Sequence, residues 1–249
     1  MKNDFDCHLF QIHPEYRPFV GSEYEKYRIL IVGESHYIGQ EYNPEIKDKY
    51  DVKYFLDNWL TSTCNELVND YSDWFNTKKV IESFINGNRT KGHLIFTNII
   101  KSFSSVVLGE NTRSISNDSC NNFNCLAFMN FFQMPSIYKG EKYWSSLEKS
   151  SNKLGRPQLA YDLWSKVVDE SVLTLNYVIE QLKPKDVFIF SKSAYYAYIE
   201  NCNCKYKDHV IPLDHAGCSW WYRKKKNCNK SSREVFEDHL KKYSNQSQL

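Results

Sequence analysis

Three short apolar runs along the chain have the pattern of strands that are buried on both faces. They are continuous rather than alternating, and they cover Arg28–Gly33, Leu126–Phe132 and Asp186–Phe190. A weaker fourth run, His209–Leu213, contains Pro212, which is typical of an edge strand or of an early strand end. The pattern therefore predicts four strands.

Longer segments between and after these runs have the spacing of amphipathic helices. Apolar residues recur at helical intervals over residues 53–86 and again over residues 161–182. Ser191–Cys202 and Ser231–Tyr243 are shorter candidates, and the second begins with a pair of serines, which are good N-cap residues. Strands that alternate with helices predict a three-layer α/β/α fold around a central four-stranded parallel sheet.

Nothing in the pattern divides the chain into separate domains. Its 249 residues suffice for one large core, and no internal repeat or Pro- and Gly-rich linker is visible. Residues 1–249 are therefore expected to form a single domain. The polar, breaker-rich residues 109–124 predict a long loop, and residues 244–249 a disordered tail.

Composition excludes several classes of protein. Apolar residues make up 41% of the chain and charged residues 25%, which is typical of a globular protein and argues against a disordered chain or a fibre. No apolar run approaches the roughly 18–20 residues of a membrane-spanning helix, so no membrane association is expected. Residues 1–16 lack the apolar core of a secretion signal, which predicts a cytoplasmic protein whose eight cysteines are reduced.

The charge of the chain is unevenly distributed, although the net charge is only +2. Residues 201–249 hold ten Lys and Arg against five Asp and Glu, and they include the basic segment 223–226. Two interpretations stay open at this point. The basic segment is either an ordinary solvated surface or a local patch that binds phosphate.

Polar side chains accompany all four predicted strands, close to the carboxyl ends at which parallel sheets place their functional groups. These residues are Glu34, Ser35, His36 and Tyr37 after the first strand, Asn130 within the second, Ser191, Lys192 and Ser193 after the third, and Asp214 and His215 after the fourth. A buried asparagine is either satisfied within the structure or reads the edge of a ligand. Small polar residues at the start of a helix can hold a phosphate on backbone N–H groups.

The order of these motifs resembles the uracil-DNA glycosylase superfamily. The matching segments are GESHY at 33–37, Asn130, SKSAY at 191–195 and HAGCSWW at 215–221, and the resemblance covers about residues 28–222. Members of that superfamily have a Gly-(Gln/Glu/Asn)-(Asp/Ala)-Pro motif after the first strand and an asparagine at the end of the second. A His-Pro-Ser motif then begins a DNA-inserting loop after their last strand.

This chain departs from the superfamily pattern at three positions. His36 stands where the superfamily usually has proline, Ser35 stands where one branch has a water-activating aspartate, and Ala216 rather than proline follows His215. The four spaced cysteines of the iron–sulfur branch have no counterpart, so neither a cluster nor any other metal or cofactor is expected.

The resemblance implies a monofunctional DNA glycosylase. Such an enzyme would hydrolyse the N-glycosidic bond of uracil or of a modified pyrimidine flipped out of DNA, in repair or in defence against foreign modified DNA such as that of a phage. His215 would donate a hydrogen bond to the base as negative charge develops on it. Asn130, Ser35 and Tyr37 would line the base pocket, with Asn130 on the Watson–Crick edge and Tyr37 controlling access of a 5-substituent.

The remaining expected roles concern the sugar and the DNA backbone. Glu34, with His36 as a second candidate, would support the sugar cation or orient water in place of the aspartate that Ser35 replaces. DNA is the partner expected, with no obligatory protein partner. Contacts to it are expected from Ser191, Lys192, Ser193, Gly217, Ser219, Trp220, Arg223 and Lys224, with Trp220 or Trp221 as a wedge between bases.

Three other hypotheses compete with this interpretation. Ser35 with the Asp214-His215 pair has the residue order of an esterase-type serine hydrolase, although no Gly-x-Ser-x-Gly elbow is present. A zinc site would need Cys202-x-Cys204 together with His209, Cys218 or Cys228, which is not the usual finger spacing. The third is a glycosylase fold that binds DNA without cutting it, and such a protein would tolerate changes at Glu34 and His215.

Overall fold

Five strands form one mixed β-sheet in the computed structural model, which describes residues 5–37, 58–61, 76–88, 91–110, 117–136, 143–153 and 155–248. They are β1 (Phe19–Val20), β2 (Ile29–Tyr37), β3 (Leu126–Ser136), β4 (Asp186–Ile189) and β5 (Val210–Pro212), in the order β1-β3-β2-β4-β5. β2 pairs in parallel with β3 and β4, β4 pairs in parallel with β5, and β1 is antiparallel to β3. The fold is therefore of the mixed α/β class.

All four predicted strands are present, but the prediction of a four-stranded, purely parallel sheet is wrong. The additional strand, β1, has only two residues, which pair with Phe128 and Ala127 of β3. A strand this short leaves no apolar run by which it could be recognised in the sequence. In addition, β2 continues to Tyr37 rather than ending at Gly33, so the GESHY motif belongs to the strand itself.

Helices connect these strands in the described parts of the chain. The α-helices are α1 (His8–Ile12), α2 (Tyr24–Tyr27), α3 (Thr77–Ile85), α4 (Leu94–Val107), α5 (Asn117–Asn121), α6 (Tyr143–Lys153), α7 (Pro157–Leu182), α8 (Lys192–Ile199) and α9 (Ser232–Leu240). Shorter 3-10 turns cover Pro14–Tyr16, Lys91–His93, Asn122–Cys125, Lys207–His209, Ser219–Tyr222 and Lys241–Gln248. No helix in these ranges has the length and apolar character needed to cross a membrane.

The predicted helices over 161–182, 191–202 and 231–243 correspond to α7, α8 and α9. α7 begins with Pro157, which is well tolerated in the first turn because that N–H has no partner within the helix. Ser191 caps α8, and Ser231 forms a reciprocal capping box with Glu234 at the start of α9. These local signals explain why the helix starts could be predicted closely.

Two other predictions have a different outcome. Most of residues 53–86 lie outside the described residues, and α3 is the α-helix that the described part of this segment contains. The prediction of a loop over residues 109–124 is wrong from residue 117 onward, because α5 and a 3-10 turn follow one another there. Cys120 and Phe123 of this segment are fully buried. These few apolar residues hold the segment against the core, although its mostly polar composition predicted a loop.

Two separate apolar cores lie on the two faces of the sheet. Alternate residues of β2 enter different cores, since Leu30 and Val32 pack in the first while Ile29 and Ile31 pack in the second. Helix α7 contributes to the first core and helix α4 to the second. Burial on both faces is the physical reason for the continuous apolar runs in the strands.

Candidate active site at the carboxyl end of the sheet

Gly33 of β2 and Asn130 of β3 lie side by side at the carboxyl end of the sheet. They are register partners in the parallel pair, and a Cβ atom on Gly33 would lie only 2.3 Å from Oδ1 of Asn130. The absence of a side chain at Gly33 is therefore what leaves room for the amide. Asn130 is buried, and its side chain makes no hydrogen bond to any residue that the structure describes. Its hydrogen-bonding groups can be used by a ligand.

Glu34 points to the face opposite Gly33 and meets the end of β4. The hydroxyl of Ser191 donates to Oε2 of Glu34 at 3.0 Å, and the same oxygen of Ser191 accepts the backbone N–H of Ala194 in α8. One serine thus caps a helix and holds a carboxylate. Burial, together with the charge of nearby Glu34, raises the pKa of Tyr37 to about 12, so its phenol is neutral at physiological pH.

His215 follows β5 and is held by its own loop. The backbone N–H of Gly217 donates to Nδ1 of His215 at 3.1 Å, and a Cβ atom on Gly217 would lie 2.9 Å from the ring. Because Nδ1 accepts this hydrogen bond, the proton of the neutral ring is on Nε2. Burial lowers the pKa of His215 below its ordinary value, so the ring is a neutral donor at pH 7.

Asp214 was not expected in the glycosylase site, yet it connects three elements beside His215. Ser232 at the start of α9 donates to Oδ2, and the ammonium groups of Lys192 and Lys225 contact the two carboxylate oxygens. Burial by itself would raise the pKa of Asp214, but the hydrogen bond from Ser232 and the two lysines lower it below its usual range. The only sequence signal for this arrangement was the position of Asp214 at a strand end.

The hydrolase hypothesis finds no support in this geometry. Nδ1 of His215 accepts a hydrogen bond and so cannot donate one to Asp214, as a catalytic triad would require. The hydroxyl of Ser35 is buried and makes no hydrogen bond of ordinary geometry in the described parts of the chain, although it lies close enough to the Tyr37 phenol to affect its pKa. Among the described residues, therefore, no base that could activate Ser35 is in contact with it.

His36 lies within packed side chains rather than at an open surface. The residue is 7% exposed, and its Nε2 is 3.1 Å from the hydroxyl of Thr77. The ring of Tyr16 packs edge to face against it, with 4.7 Å between the ring centres. These contacts suit a residue that joins β2 to α3. They favour Glu34 over His36 for handling water.

The loop after His215 presents one tryptophan to solvent and buries the other. Trp220 is 57% exposed, and the guanidinium of Arg223 lies 4.6 Å from the centre of its ring, whereas Trp221 is fully buried. Of these two tryptophans, Trp220 is therefore the one that a ligand could contact. Of the other expected DNA contacts, Ser219 and Lys224 are exposed, and Gly217 and Ser193 are half-buried.

The cysteines do not gather into a metal site in the described residues. No group of three or more His, Cys, Asp or Glu side chains that could hold a metal ion occurs there. The candidate ligands of the proposed zinc site therefore form no such group in the described part of the chain; they are Cys202, Cys204, His209, Cys218 and Cys228.

Comparisons with protein-family models, with curated proteins and with solved structures find no significant match to this chain. The functional interpretation therefore depends on the geometry of the site and on the resemblance of the four motifs.

Proposed function

We propose that this protein is a monofunctional DNA glycosylase, which hydrolyses the N-glycosidic bond of uracil or of a modified pyrimidine and leaves an abasic site. We also propose that its helices and sheet have the three-layer arrangement of the uracil-DNA glycosylase superfamily. The observation that carries the proposal is the amide of Asn130 over Gly33, which has no hydrogen-bond partner among the described residues and lies at the same end of the sheet as the neutral donor His215. An amide with free donors and acceptor can read the edge of a flipped pyrimidine.

His215 would stabilise the leaving base. As the glycosidic bond breaks, negative charge develops on the pyrimidine, and a donor already aimed at its oxygen lowers the barrier. The N–H of Gly217 holds the ring in the tautomer that carries a proton on Nε2. A neutral ring can donate this hydrogen bond without transferring its proton.

Glu34 would act on the sugar side of the reaction. The carboxylate is held at one oxygen by Ser191, which restricts its orientation at the end of β2. A carboxylate near the sugar stabilises the oxocarbenium-like cation or orients the attacking water. In this role Glu34 would take the place of the water-activating aspartate, because this chain has Ser35 at the aspartate position.

A panel of damaged and modified bases tests the proposal. Purified protein is incubated with end-labelled oligonucleotides that carry uracil, thymine opposite guanine, hypoxanthine, hydroxymethylcytosine or its glucosylated form, and is then treated with alkali. Strand breaks at one base, lost in Glu34→Ala and His215→Ala, are the expected result. Salt-sensitive DNA binding without abasic sites at any base would instead indicate a DNA-binding protein with a glycosylase fold.

Gly33→Ala is expected to slow excision strongly while leaving the protein folded. The new Cβ atom would lie 2.3 Å from Oδ1 of Asn130, so the amide must move away from its position over the strand. We expect roughly 100-fold slower excision and about 1–3 kcal/mol lower stability, measured in single turnovers and by denaturant unfolding. Gly109→Ala is the control for a loss of stability alone: its Cβ atom meets nothing within 4 Å, but its φ of +70° strains any side chain, so the variant should lose some stability and keep full activity. Unchanged excision in Gly33→Ala would show that Asn130 does not read the base.

Trp220→Ala is expected to weaken DNA binding by about 1–3 kcal/mol, the usual contribution of one base stacked on an aromatic ring. Arg223 lies against Trp220, so its position beside the DNA would also be lost. Fluorescence anisotropy with a duplex that contains an abasic-site analogue measures the effect. Tyr161 of α7 is equally exposed, at 57%, and Tyr161→Ala should bind like the unmodified protein. Equal affinities for the two variants would remove Trp220 from the interface.

A further inference from the structure

Asp214, the residue before His215, contacts two lysines that come from two different elements. Its Oδ1 lies 3.1 Å from Nζ of Lys192 at the start of α8, and its Oδ2 lies 3.3 Å from Nζ of Lys225 in the basic segment. The hydroxyl of Ser232 donates to Oδ2 at 2.8 Å and accepts the backbone N–H of Asp214 at 2.9 Å. Ser232 therefore fixes the carboxylate, and both ammonium groups lie within ion-pair distance of it.

The two lysines remain accessible, although their partner does not. The side chain of Asp214 is 9% exposed, whereas that of Lys192 is 59% exposed and that of Lys225 is 28% exposed. Two ammonium groups against one carboxylate leave an excess of one positive charge. Each ammonium group has three N–H donors, and one of them suffices for Asp214. The remaining donors can bind an anion from the solvent side.

The backbone around Lys225 is held as well. Its N–H donates to the carbonyl of Lys230 at 3.0 Å, and its carbonyl accepts the N–H of Asn229 at 2.8 Å. The ammonium group of Lys230 in turn contacts Asp238 of α9 at 2.7 Å. The turn that carries Lys225 is thus attached to α9, and its lysine side chain is attached to Asp214.

We propose that Lys192 and Lys225 together bind one backbone phosphodiester of the DNA strand that carries the flipped nucleotide, and that Asp214 is the positioning residue for both lysines. This inference rests on the proposed function and names a contact of the same site. An unrestrained lysine side chain loses rotamer entropy when it is immobilised. Asp214 restricts both side chains before DNA arrives, so binding costs less entropy.

The proposal predicts an effect of opposite sign to that of simple electrostatics. Asp214→Asn removes a negative charge next to a DNA-binding surface, and that change alone would strengthen binding to a polyanion. If Asp214 organises the two lysines, the same substitution weakens binding, because both ammonium groups lose their position. The sign of the change therefore distinguishes a positioning residue from a carboxylate that merely neutralises lysines.

The experiment measures affinity by fluorescence anisotropy for a labelled duplex with a tetrahydrofuran abasic-site analogue, over a series of KCl concentrations. This probe needs no knowledge of the excised base. Lys192→Met and Lys225→Met should each weaken binding by about eightfold at 0.1 M salt and lower the slope of log Kd against log salt by about 1. Asp214→Asn should weaken binding roughly threefold or more.

Glu180→Gln provides the control, because it also removes a carboxylate that forms an ion pair with a lysine. Glu180 contacts Lys205 at 3.0 Å, and it lies on α7, outside the elements that hold Lys192 and Lys225. Its loss should leave affinity unchanged or slightly stronger. In protein that already carries both lysine substitutions, Asp214→Asn should no longer weaken binding. Thermal unfolding of every variant verifies the fold, and the two lysine variants test the site even if Asp214→Asn does not fold.

Three outcomes would overturn the inference. The first is stronger DNA binding by Asp214→Asn than by the unmodified protein. The second is that Asp214→Asn weakens binding equally in the unmodified protein and in protein that already carries both lysine substitutions. The third is a slope of log Kd against log salt that is unchanged in both lysine variants. Each of these leaves the glycosylase proposal intact if base excision is observed. A wild-type protein that neither binds the probe nor excises a base would overturn both.

Discussion

Replacing His215 by alanine is expected to slow base excision by about 100- to 1,000-fold, which is the usual effect of losing one donor to a developing anion. The substitution removes the Nε2 proton that the contact with Gly217 keeps in place. Single-turnover rates on the base identified by the oligonucleotide panel measure the loss. His209→Ala, at an exposed histidine of the 3-10 turn before β5, is the matched control and should keep its rate. Excision that survives in His215→Ala would remove His215 from the mechanism.

The pH dependence of excision provides an independent test of the same residue. Burial lowers the pKa of His215, so its ring stays neutral in the folded protein as the pH falls through the ordinary histidine value of about 6.5. We therefore expect the contribution of His215 to excision to be constant from pH 7 to pH 6.5 and to fall only at lower pH. In the unfolded chain the ring takes up its proton at about pH 6.5, so His215 also makes the folded state less stable as the pH falls below that value.

Replacing His13 by leucine is expected to lower the free energy of unfolding by about 3–5 kcal/mol, as removal of one partner from a buried pair usually does. His13 is fully buried and stacks on Trp59, with 3.8 Å between ring centres. Its Nε2 lies 2.7 Å from the carbonyl of Trp59, and its Nδ1 lies 3.0 Å from the carboxylate of Glu15. Leucine can donate to neither acceptor, so a carbonyl and a carboxylate would be left without this partner.

Denaturant unfolding measures this loss, with Glu15→Gln as the graded comparison. Glutamine keeps an acceptor oxygen near His13 while it removes the charge. We therefore expect Glu15→Gln to lower the free energy of unfolding by about 1 kcal/mol, the net contribution of an ordinary hydrogen bond. Trp59 also donates its indole N–H to the carbonyl of Gln133 at 2.8 Å, which ties the pair to β3. Equal stabilities of His13→Leu and the unmodified chain would show that the contacts of His13 do not hold these segments together.

The strands and several helix starts could be predicted from the sequence because their signals are local. β2, β3 and β4 are buried on both faces and therefore read as continuous apolar runs. Serine caps identified the starts of α8 and α9. Helix α4 was not predicted, because its buried residues include Asn98, Ser102 and Ser104 and so blur the contrast between its faces.

The candidate site was only partly predictable. The rule that function gathers at strand ends selected Glu34, Asn130 and His215 without knowledge of their distances. It could not separate His36, which packs against Thr77, from Glu34, which Ser191 holds. These outcomes depend on which helix covers each strand end, and that is a property of the folded chain.

The sequence by itself determined where strands and capped helices form and which polar residues follow them, because apolar runs and capping residues act within a few positions of the chain. Only the tertiary structure decided which of these groups meet. Gly33 and Asn130 are adjacent through strand register, and Asp214 holds Lys192 and Lys225 across three elements. Such contacts join residues far apart in the chain, so they arise from packing, register and burial rather than from any local pattern.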